Sequence, residues 1–304
     1  MATMIQTENL SKMDKQNYRV KGLNLHIEEY AIYGFLGHNG AGKSTTMKML
    51  LRLILPSSGE MEIFGKEMNE RNRKEILRDV GSLIEAPSYY GHLTGKENLK
   101  VVARLKDISE KNISEVLDIV KLTSQKDKLV SKYSMGMKQR LGIAAALLGF
   151  PHLLILDEPT NGLDPAGIQE MRELMISLPK KHGITVMISS HILSEIEQTV
   201  DTLGIIHKGE LVFQDSLAAL HARKESRMLL NTTDNAQVET LLAEQGIQAG
   251  REGNFLVLPQ MPDPGVAALS LLLARADIGL TRLEPREHSL EEIFLEMTGK
   301  AGGL

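Results

Sequence analysis

A short segment near the N-terminus, GHNGAGKST, has the residue types and spacing of a phosphate-binding loop. Its glycines let backbone N–H groups curl around an anion, and a following helix would direct its positive end at the same point. Lys43 is expected to bridge the outer phosphates, and Ser44 to offer a hydroxyl to Mg²⁺, which prefers oxygen ligands. The alternative is a plain glycine-rich turn. The residues predicted to contact nucleotide here are Gly37, His38, Asn39, Gly40, Ala41, Gly42, Lys43, Ser44 and Thr45.

Two carboxylates follow a run of apolar residues in LLILDEPT, Leu153 to Thr160. Ligands gather at the ends of strands in open α/β sheets, so these acids are candidates for the same site. Asp157 is predicted to hold Mg²⁺ through its water shell. Glu158 is predicted to act as a general base on a water molecule, which requires a carboxylate beside the metal. An acidic strand end can also be an ordinary solvated loop, and its specificity comes from being combined with the lysine loop.

A third segment, YSMGMKQR, precedes a helical pattern. Ser134 and Gly136 can present a hydroxyl and backbone N–H groups at the positive end of that helix. The alternative interpretation of Ser134 is an ordinary N-cap.

The pattern around these segments indicates the elements that hold them. Buried strands are predicted at Ala31 to Leu36, Leu153 to Leu156 and Ile184 to Ser189, with helical segments between them, which favours a mainly parallel sheet. After the phosphate loop, one apolar helical face is predicted, and Pro56 and Gly59 are expected to end this helix. The residues of that face are Met47, Leu50, Leu51 and Ile54.

Composition changes divide the chain. The segment from about 86 to 149 is predicted to be a helical subdomain within a domain spanning 1–225. After a charged stretch, Arg223 to Arg227, a small accessory α+β domain is predicted over 226–304. Its expected elements are strands at Met228 to Leu230 and Phe255 to Leu258, a helix at Gly265 to Arg275, and a last helix opened by a capping box of Ser289 and Glu292.

The composition excludes several classes of protein. The chain has 304 residues and a formal net charge of −4, so it lacks the basic footprint of a nucleic-acid binder, and it has no cysteine for a disulfide or a thiolate metal site. The longest apolar stretch, Leu141 to Leu156, is interrupted by Pro151 and His152 and is shorter than the roughly 20 residues that a membrane-spanning helix needs. Any membrane passage is therefore expected to come from another chain.

Taken in order, the motifs resemble those of ABC transporter ATP-binding subunits. The family signature is usually written LSGGQ, where this chain has YSMGM, and the segment Asn161 to Asp164 is similar to the family's D-loop. The resemblance covers residues 1 to about 225 and implies an α/β fold: a P-loop NTPase core with a mainly parallel sheet, antiparallel N-terminal strands and a helical subdomain. It also implies ATP and Mg²⁺ as cofactors, and ATP hydrolysis.

The same resemblance implies a head-to-tail dimer of two copies of the chain. Each ATP would lie between the phosphate loop of one copy and Ser134 and Gly136 of the other. Asp164 would connect the two sites, and His191 would contact the γ-phosphate and hold Glu158 and water in place. Where relatives have an aromatic residue that stacks on adenine, this chain reads MDKQNY, and Tyr18 is the candidate substitute.

Glu85 occupies the position where most relatives have a glutamine that touches Mg²⁺ and senses the membrane partner. This glutamate variant resembles the ATPase subunits of bacitracin-resistance and lantibiotic self-protection exporters. The resemblance implies transmembrane permease subunits, contacted through Tyr89, Tyr90 and His92, and a peripheral location on the cytoplasmic side of the membrane. Glu85 could instead be a surface carboxylate.

Three other functions stay open at this point. They are a generic ABC-2-type exporter of drugs or lipids, a soluble ABC protein acting on ribosomes or DNA, and a regulatory switch that binds nucleotide without needing hydrolysis. The ribosomal class typically has tandem cassettes or a long coiled coil, and this chain shows neither.

Overall fold

A computed structural model describes residues 2–222, 226–287 and 290–299 of the chain. The chain divides into two compact units, Met1–Leu217 and Ala218–Leu304. In chain order the first unit contains β1 (Thr3–Asp14), β2 (Asn17–Leu23), β3 (His26–Glu28), β4 (Ile32–Leu36), α1 (Lys43–Leu50), β5 (Ser58–Ile63), β6 (Lys66–Glu67), α2 (Arg73–Arg78), β7 (Val80–Leu83), α3 (Gly95–Leu105), α4 (Asn112–Ile119), 3₁₀ turns at Thr123–Gln125 and Val130–Lys132, α5 (Met135–Leu147), β8 (Leu153–Leu156), α6 (Pro165–His182), β9 (Thr185–Ser190), α7 (Leu193–Glu197), β10 (Thr202–His207) and β11 (Glu210–Ser216); α8 (Leu217–Ala222) follows.

The central sheet of the first unit has the strand order β11-β10-β4-β9-β8-β7. Neighbouring strands from β10 to β7 are parallel, and only the edge strand β11 runs antiparallel to its neighbour. Every residue of β4, β8 and β9 is buried. For this reason β4 and β8 are almost continuous apolar runs in the sequence, whereas β9 has an apolar centre with hydroxyl side chains at both ends. The predicted mainly parallel sheet is confirmed, and its strand ends lie beside the phosphate loop and the two acids.

An antiparallel sheet of the order β2-β1-β5-β6, with β3 also paired to β1, forms the other layer of strands. Buried and exposed residues alternate from Ile5 to Glu8 of β1, as expected for a sheet with one solvated face. Its buried side chains join the apolar residues of α1 in one core cluster, which includes Ile5, Met47 and Leu50. The predicted N-terminal antiparallel strands are therefore present.

The helix after the phosphate loop is shorter than its apolar spacing predicts. α1 ends at Leu50, because Arg52 takes a left-handed backbone conformation (φ 50°) and the N–H groups of Leu53 and Ile54 both turn back to the carbonyl of Lys48. Ile54 still packs against the core, although it lies outside the helix. The prediction that Pro56 and Gly59 end this helix is therefore wrong, since backbone capping ends it earlier.

The segment predicted as a helical subdomain contains α3, α4 and α5. α3 begins with a complete capping box: the Thr94 hydroxyl accepts from the N–H of Glu97, and the Glu97 carboxylate accepts from the N–H of Thr94. No helix among the described residues is both long and apolar enough to cross a membrane.

The second unit contains β12 (Ser226–Thr232), α9 (Asn235–Glu244), β13 (Gly250–Glu252), β14 (Phe255–Pro259), α10 (Asp263–Arg275), β15 (Leu280–Glu287) and α11 (Leu290–Met297). Its antiparallel sheet has the order β13-β14-β12-β15, which together with the element order gives a βαββαβ unit of the ferredoxin-like type. The core joins the sheet to both crossing helices, through residues such as Leu230, Val238 and Leu269. Ser289 of the predicted capping box and the charged residues 223–225 lie outside the described residues.

Candidate functional site

The phosphate loop runs from the end of β4 into α1, and its conformation requires glycine at several positions. Gly40 and Gly42 have positive φ angles of 81° and 116°. A Cβ at Gly42 would lie 2.7 Å from the carbonyl oxygen of Arg19, and one at Gly37 would lie 2.5 Å from that of Ile206. The loop is therefore closely packed against β2 and β10, and side chains are excluded at these points.

Lys43 begins α1 and is almost fully buried. Its ammonium nitrogen donates to the carbonyl oxygen of Gly37 (2.6 Å) and lies 3.4 Å from that of His38. The same nitrogen is 3.2 Å from Oε1 of Glu158. A buried ammonium needs such partners, and here they direct it into the space between the loop and the acidic strand end.

The two acids follow β8 directly, with Asp157 buried and Glu158 partly buried. Glu158 has a positive φ of 50°, which is uncommon for a residue other than glycine. Its N–H donates to the hydroxyl of Ser189 (2.9 Å), and that hydroxyl donates to Oδ1 of Asp157 (2.6 Å). Sequence reasoning missed Ser189. Its signal was a polar residue at the end of a buried strand, beside the strand that carries the acids.

His191 follows β9, and its Nδ1 lies 2.6 Å from Oε2 of Glu158. Because a carboxylate only accepts hydrogen bonds, the imidazole nitrogen is the donor. One carboxylate is thus held by Lys43 on one oxygen and by His191 on the other. The structure brings together the predicted lysine, base and histidine, although Lys43 lies more than a hundred residues before Glu158 and His191 in the chain.

Ser134, Gly136 and Asp164 form a second cluster. They line a cleft of about 370 Å³ between the start of α5 and the start of α6. The Ser134 hydroxyl caps α5 by accepting from the N–H of Met137, and Asp164 caps α6 by accepting from the N–H of Gly167. An ion pair between Arg140 and Glu170, 3.1 Å long, joins the two helices. This cluster shares no hydrogen bond or ion pair with the Lys43 cluster within the described residues.

The unusual tyrosine before Ser134 has a packing role. Tyr133 is buried, and its hydroxyl donates to the carbonyl oxygen of Gln125. Burial raises the pKa of the Tyr133 hydroxyl. A Cβ on Gly95 would lie 2.3 Å from that hydroxyl oxygen, so glycine at the start of α3 makes room for the larger ring. Tyr133, which stands where the signature LSGGQ has leucine, is therefore accommodated by the packing of the helical segment.

Glu85 lies just beyond β7 with a positive φ of 64°. Its carboxylate accepts from Nζ of Lys48 on α1 (2.5 Å), and this hydrogen bond, with the attraction of the ammonium, lowers the pKa of the Glu85 carboxyl. The side chain is about two-thirds exposed. Lys48, one turn after Ser44 on the same helix, is a partner that sequence reasoning did not identify, because nothing in the local pattern connects the two residues.

Tyr18 lies on β2 opposite Met13 of β1, and about half of its surface is exposed. The next residue, Arg19, contributes the carbonyl that approaches Gly42. Tyr18 therefore lies on the strand that packs against the phosphate loop, and its stacking on adenine stays a prediction.

A groove beyond Glu85 is lined by aromatic, aliphatic and small residues. Tyr89 and Tyr90 are exposed, while the buried amide of Asn98 holds the backbone of Tyr90 by donating to its carbonyl and accepting from its N–H. The Tyr90 and His92 rings meet edge to face, with centroids 6.0 Å apart. The residues lining the groove include Pro87, Leu99, Val102, Leu141 and Gly142.

Comparison with known proteins gives this arrangement a family. A family model described as ABC transporter matches residues 20–161. The bacitracin transport ATP-binding protein BcrA of Bacillus licheniformis is 46% identical over 98% of both chains, and the lantibiotic transport ATP-binding protein SrtF of Streptococcus pyogenes is 44% identical over 69% of this chain and 90% of its own. A solved structure, the dimeric post-hydrolysis state of the ATP-binding cassette MJ0796 bound to ADP and Pi, is similar with a TM-score of 0.63 at 25% identity, covering 70% of this chain and 99% of that one.

The matched sequence includes the phosphate loop and the acidic strand end. The relatedness to BcrA extends through nearly the whole chain and so includes the second unit. The chain therefore belongs to the ABC transporter family and is one of its ATP-binding subunits, an ATPase.

Proposed function

We propose that this ATPase serves an exporter that protects its host against peptide antibiotics of the bacitracin or lantibiotic type. The relatives with those printed functions are 46% and 44% identical to the chain. The glutamate at position 85, on which the resemblance to this group rests, lies two residues after the end of β7, a strand of the nucleotide-binding core. Generic export of drugs or lipids by the same machinery is the second candidate, since the ATPase site itself carries no information about the cargo.

ATP binding is assigned to the phosphate loop from Gly37 to Thr45. Its backbone N–H groups and Lys43 would hold the phosphates, and Tyr18 is the candidate for stacking on adenine. Glu158 would accept a proton from the attacking water, a role that needs a positioned carboxylate within hydrogen-bond reach of that water. His191 would orient Glu158, in keeping with the 2.6 Å contact between them.

The donor set fits Mg²⁺. Ser44 and Asp157 offer oxygen atoms, and Mg²⁺ is usually held by one or two carboxylates together with substrate phosphates and water. No cluster of three or more His, Cys, Asp or Glu side chains suited to a metal occurs in the described parts of the chain. When bound, the ion would neutralise charge on the phosphates, and Glu85 is a further candidate ligand of its shell.

A second copy of the chain is proposed to complete each site. Ser134 and Gly136 line the cleft with Asp164, and no phosphate-loop residue is among the residues that line it, which supports a site completed by another copy. The similarity to a dimeric cassette supports a head-to-tail ATP sandwich, in which the Ser134 cluster of one copy meets the phosphate loop of the other.

Permease subunits are the other proposed partners, because the relatives are named as transport ATP-binding proteins. The exposed tyrosines of the groove next to Glu85 are proposed to receive them, which would place the chain on the cytoplasmic side of the membrane as a peripheral subunit. The predicted division into an ATPase domain, residues 1–225, and an accessory domain, residues 226–304, is part of this proposal. No nucleic-acid partner is proposed.

The observation that carries the ATPase mechanism is the carboxylate of Glu158 held between Lys43 and His191. Glu158→Gln should retain ATP binding and ATP-dependent dimerisation and lose at least 100-fold in turnover, as expected for a general base. Glu173→Gln on the exposed face of α6 is the matched control and should turn over normally. Full turnover in Glu158→Gln would remove the base assignment.

The cargo is tested separately in a sensitive bacterial host that expresses the chain with the membrane proteins encoded beside it. Protection against bacitracin or a lantibiotic, lost in Glu158→Gln, is the expected result. Protection only against unrelated drugs would favour the generic exporter.

Glu85→Gln should reduce peptide protection more than it reduces ATP affinity, and unchanged protection would count against a coupling role for Glu85.

A further inference from the structure

Strands β8 and β9 are parallel neighbours, and their pairing places one serine beside both catalytic acids. Leu156 pairs with Ile188 at the end of the ladder, so the next residue on each strand brings Asp157 and Ser189 side by side. Ser189 is 1% exposed. Its hydroxyl is therefore enclosed at the strand ends, where the phosphate loop and the two acids also lie.

The Ser189 hydroxyl makes two hydrogen bonds of opposite sense. It donates its hydrogen to Oδ1 of Asp157 at 2.6 Å and accepts the N–H of Glu158 at 2.9 Å. A hydroxyl has one hydrogen and two lone pairs, so both bonds can exist together. A single buried atom thus connects the side chain of one acid to the backbone of the next.

The backbone of Glu158 needs outside support. Its φ of 50° is a left-handed conformation that a glutamate adopts at an energetic cost, and such conformations persist when the surrounding structure determines them. The bond from its N–H to Ser189 is one such determinant. The conformation in turn directs the Glu158 side chain to the position where Lys43 and His191 contact it.

We propose that Ser189 is a positioning residue for ATP hydrolysis, which fixes the metal-holding carboxylate of Asp157 and the backbone of the base Glu158 as one unit. The proposal rests on the roles proposed above for those two acids. Ser189 would not touch ATP. It would act because the reacting groups must be held within a fraction of an ångström, and partners of metal ligands typically change activity or metal affinity by about 10- to 100-fold when they are removed.

The simpler alternative is that Ser189 is only a satisfied buried hydroxyl, and a second residue on the same strand separates the two explanations. Thr185, at the other end of β9, is fully buried, and its hydroxyl accepts the N–H of Tyr30 at 2.8 Å. Ser189→Ala and Thr185→Val therefore each remove one buried hydroxyl that accepts one backbone N–H. Only the first of these hydroxyls also contacts a catalytic acid.

The experiment compares kcat, KM for ATP and the melting temperature of the full-length variants. Ser189→Ala should lower kcat by about 10- to 100-fold and change KM by less than about threefold. Thr185→Val should lower the melting temperature about as much as Ser189→Ala does, because each variant loses one buried hydroxyl. It should keep kcat within about twofold of the parent, because the hydroxyl that it removes has no contact with either acid.

Two further variants control for crowding at the buried position. Ser189→Thr and Ser189→Val have the same shape and differ only in the hydroxyl, so Ser189→Thr should be the more active by about tenfold or more. Binding of Mn²⁺ in the presence of a non-hydrolysable ATP analogue, followed by electron paramagnetic resonance, gives a readout independent of turnover. Ser189→Ala should bind Mn²⁺ about tenfold more weakly than the parent.

Equal kcat in Ser189→Thr and Ser189→Val would overturn the proposal, whatever the melting temperatures of the two variants. So would a kcat and an Mn²⁺ affinity in Ser189→Ala that match those of the parent protein. Failure of the proposed function looks different. It would appear as no ATP turnover in the parent protein, or as full turnover in Glu158→Gln, and neither result depends on Ser189.

Discussion

Nδ1 of His191 lies 2.6 Å from Oε2 of Glu158, while the other oxygen of the same carboxylate is 3.2 Å from Nζ of Lys43. These contacts hold the carboxylate of Glu158, the candidate base, by both of its oxygens. The backbone of Glu158 is in a left-handed conformation. The carboxylate is about one-fifth exposed, so water can still approach it. The geometry suits a group that must be oriented toward water and a phosphate at the same time.

His191→Ala should lower kcat by about 100-fold and change ATP binding much less. The variant removes the hydrogen-bond donor to the Glu158 carboxylate, and loss of general-base function costs about 10²- to 10⁴-fold. Phosphate release under saturating ATP measures kcat, and a fluorescent nucleotide measures binding. His182→Ala, at the exposed end of α6, is the control and should behave as the parent protein. An equal loss of kcat in His191→Ala and His182→Ala would contradict a specific role for His191.

Gly95→Ala should destabilise the helical segment by about 1–3 kcal/mol, as overpacking of a buried site does. The added methyl would lie 2.3 Å from the Tyr133 hydroxyl oxygen. Chemical denaturation followed by circular dichroism measures the loss.

The partner variant Tyr133→Phe removes that oxygen, so the penalty of Gly95→Ala should be smaller in the Tyr133→Phe background. Simple additivity of the two changes would show that the close approach is not the cause.

Thr94→Ala should lower the free energy of unfolding by about 1 kcal/mol, because it removes the N-cap of α3. The Thr94 hydroxyl accepts the N–H of Glu97. Thr94→Ser keeps that oxygen and should retain most of the stability, which makes it the matched control. Equal losses in the Ala and Ser variants would point to the methyl group of Thr94 instead of its cap.

Glu85 should titrate below its ordinary pKa of 4.5, because its carboxylate accepts a hydrogen bond from Lys48 and is attracted by that ammonium. A carboxyl group whose pKa is lower in the folded than in the unfolded chain stabilises the fold above its unfolded pKa. The contribution of this pair should therefore be present above about pH 4.5 and disappear as the pH falls through the lowered pKa. Carboxyl-selective NMR titration measures the shift.

Lys48→Met should return the pKa of Glu85 toward its ordinary value. Lys66→Met is the cross-control, since Lys66 lowers the pKa of Glu75 in the same way. That variant should move the titration of Glu75 and leave Glu85 unchanged. An unchanged Glu85 titration in Lys48→Met would contradict the ion pair.

Local pattern was enough for the strands and the loop, because buried parallel strands are continuous apolar runs and a phosphate loop needs glycines at fixed offsets. The predicted strand Leu153 to Leu156 agrees with β8 residue for residue. The end of α1 was not predictable in this way, since Leu51 and Ile54 continue an apolar spacing while hydrogen bonds to the carbonyl of Lys48 end the helix.

The sequence by itself determined the type of chemistry, ATP binding and hydrolysis, because the order of the lysine loop, the acidic strand end and the histidine suits only a few protein classes. Tertiary structure decided which groups act together. The bonds of Ser189 to both acids, of Lys48 to Glu85, and the fit of Tyr133 over Gly95 connect residues that lie 31 to 38 positions apart. Such contacts depend on strand order and on the packing of helices against one another, which no local spacing of residue types specifies.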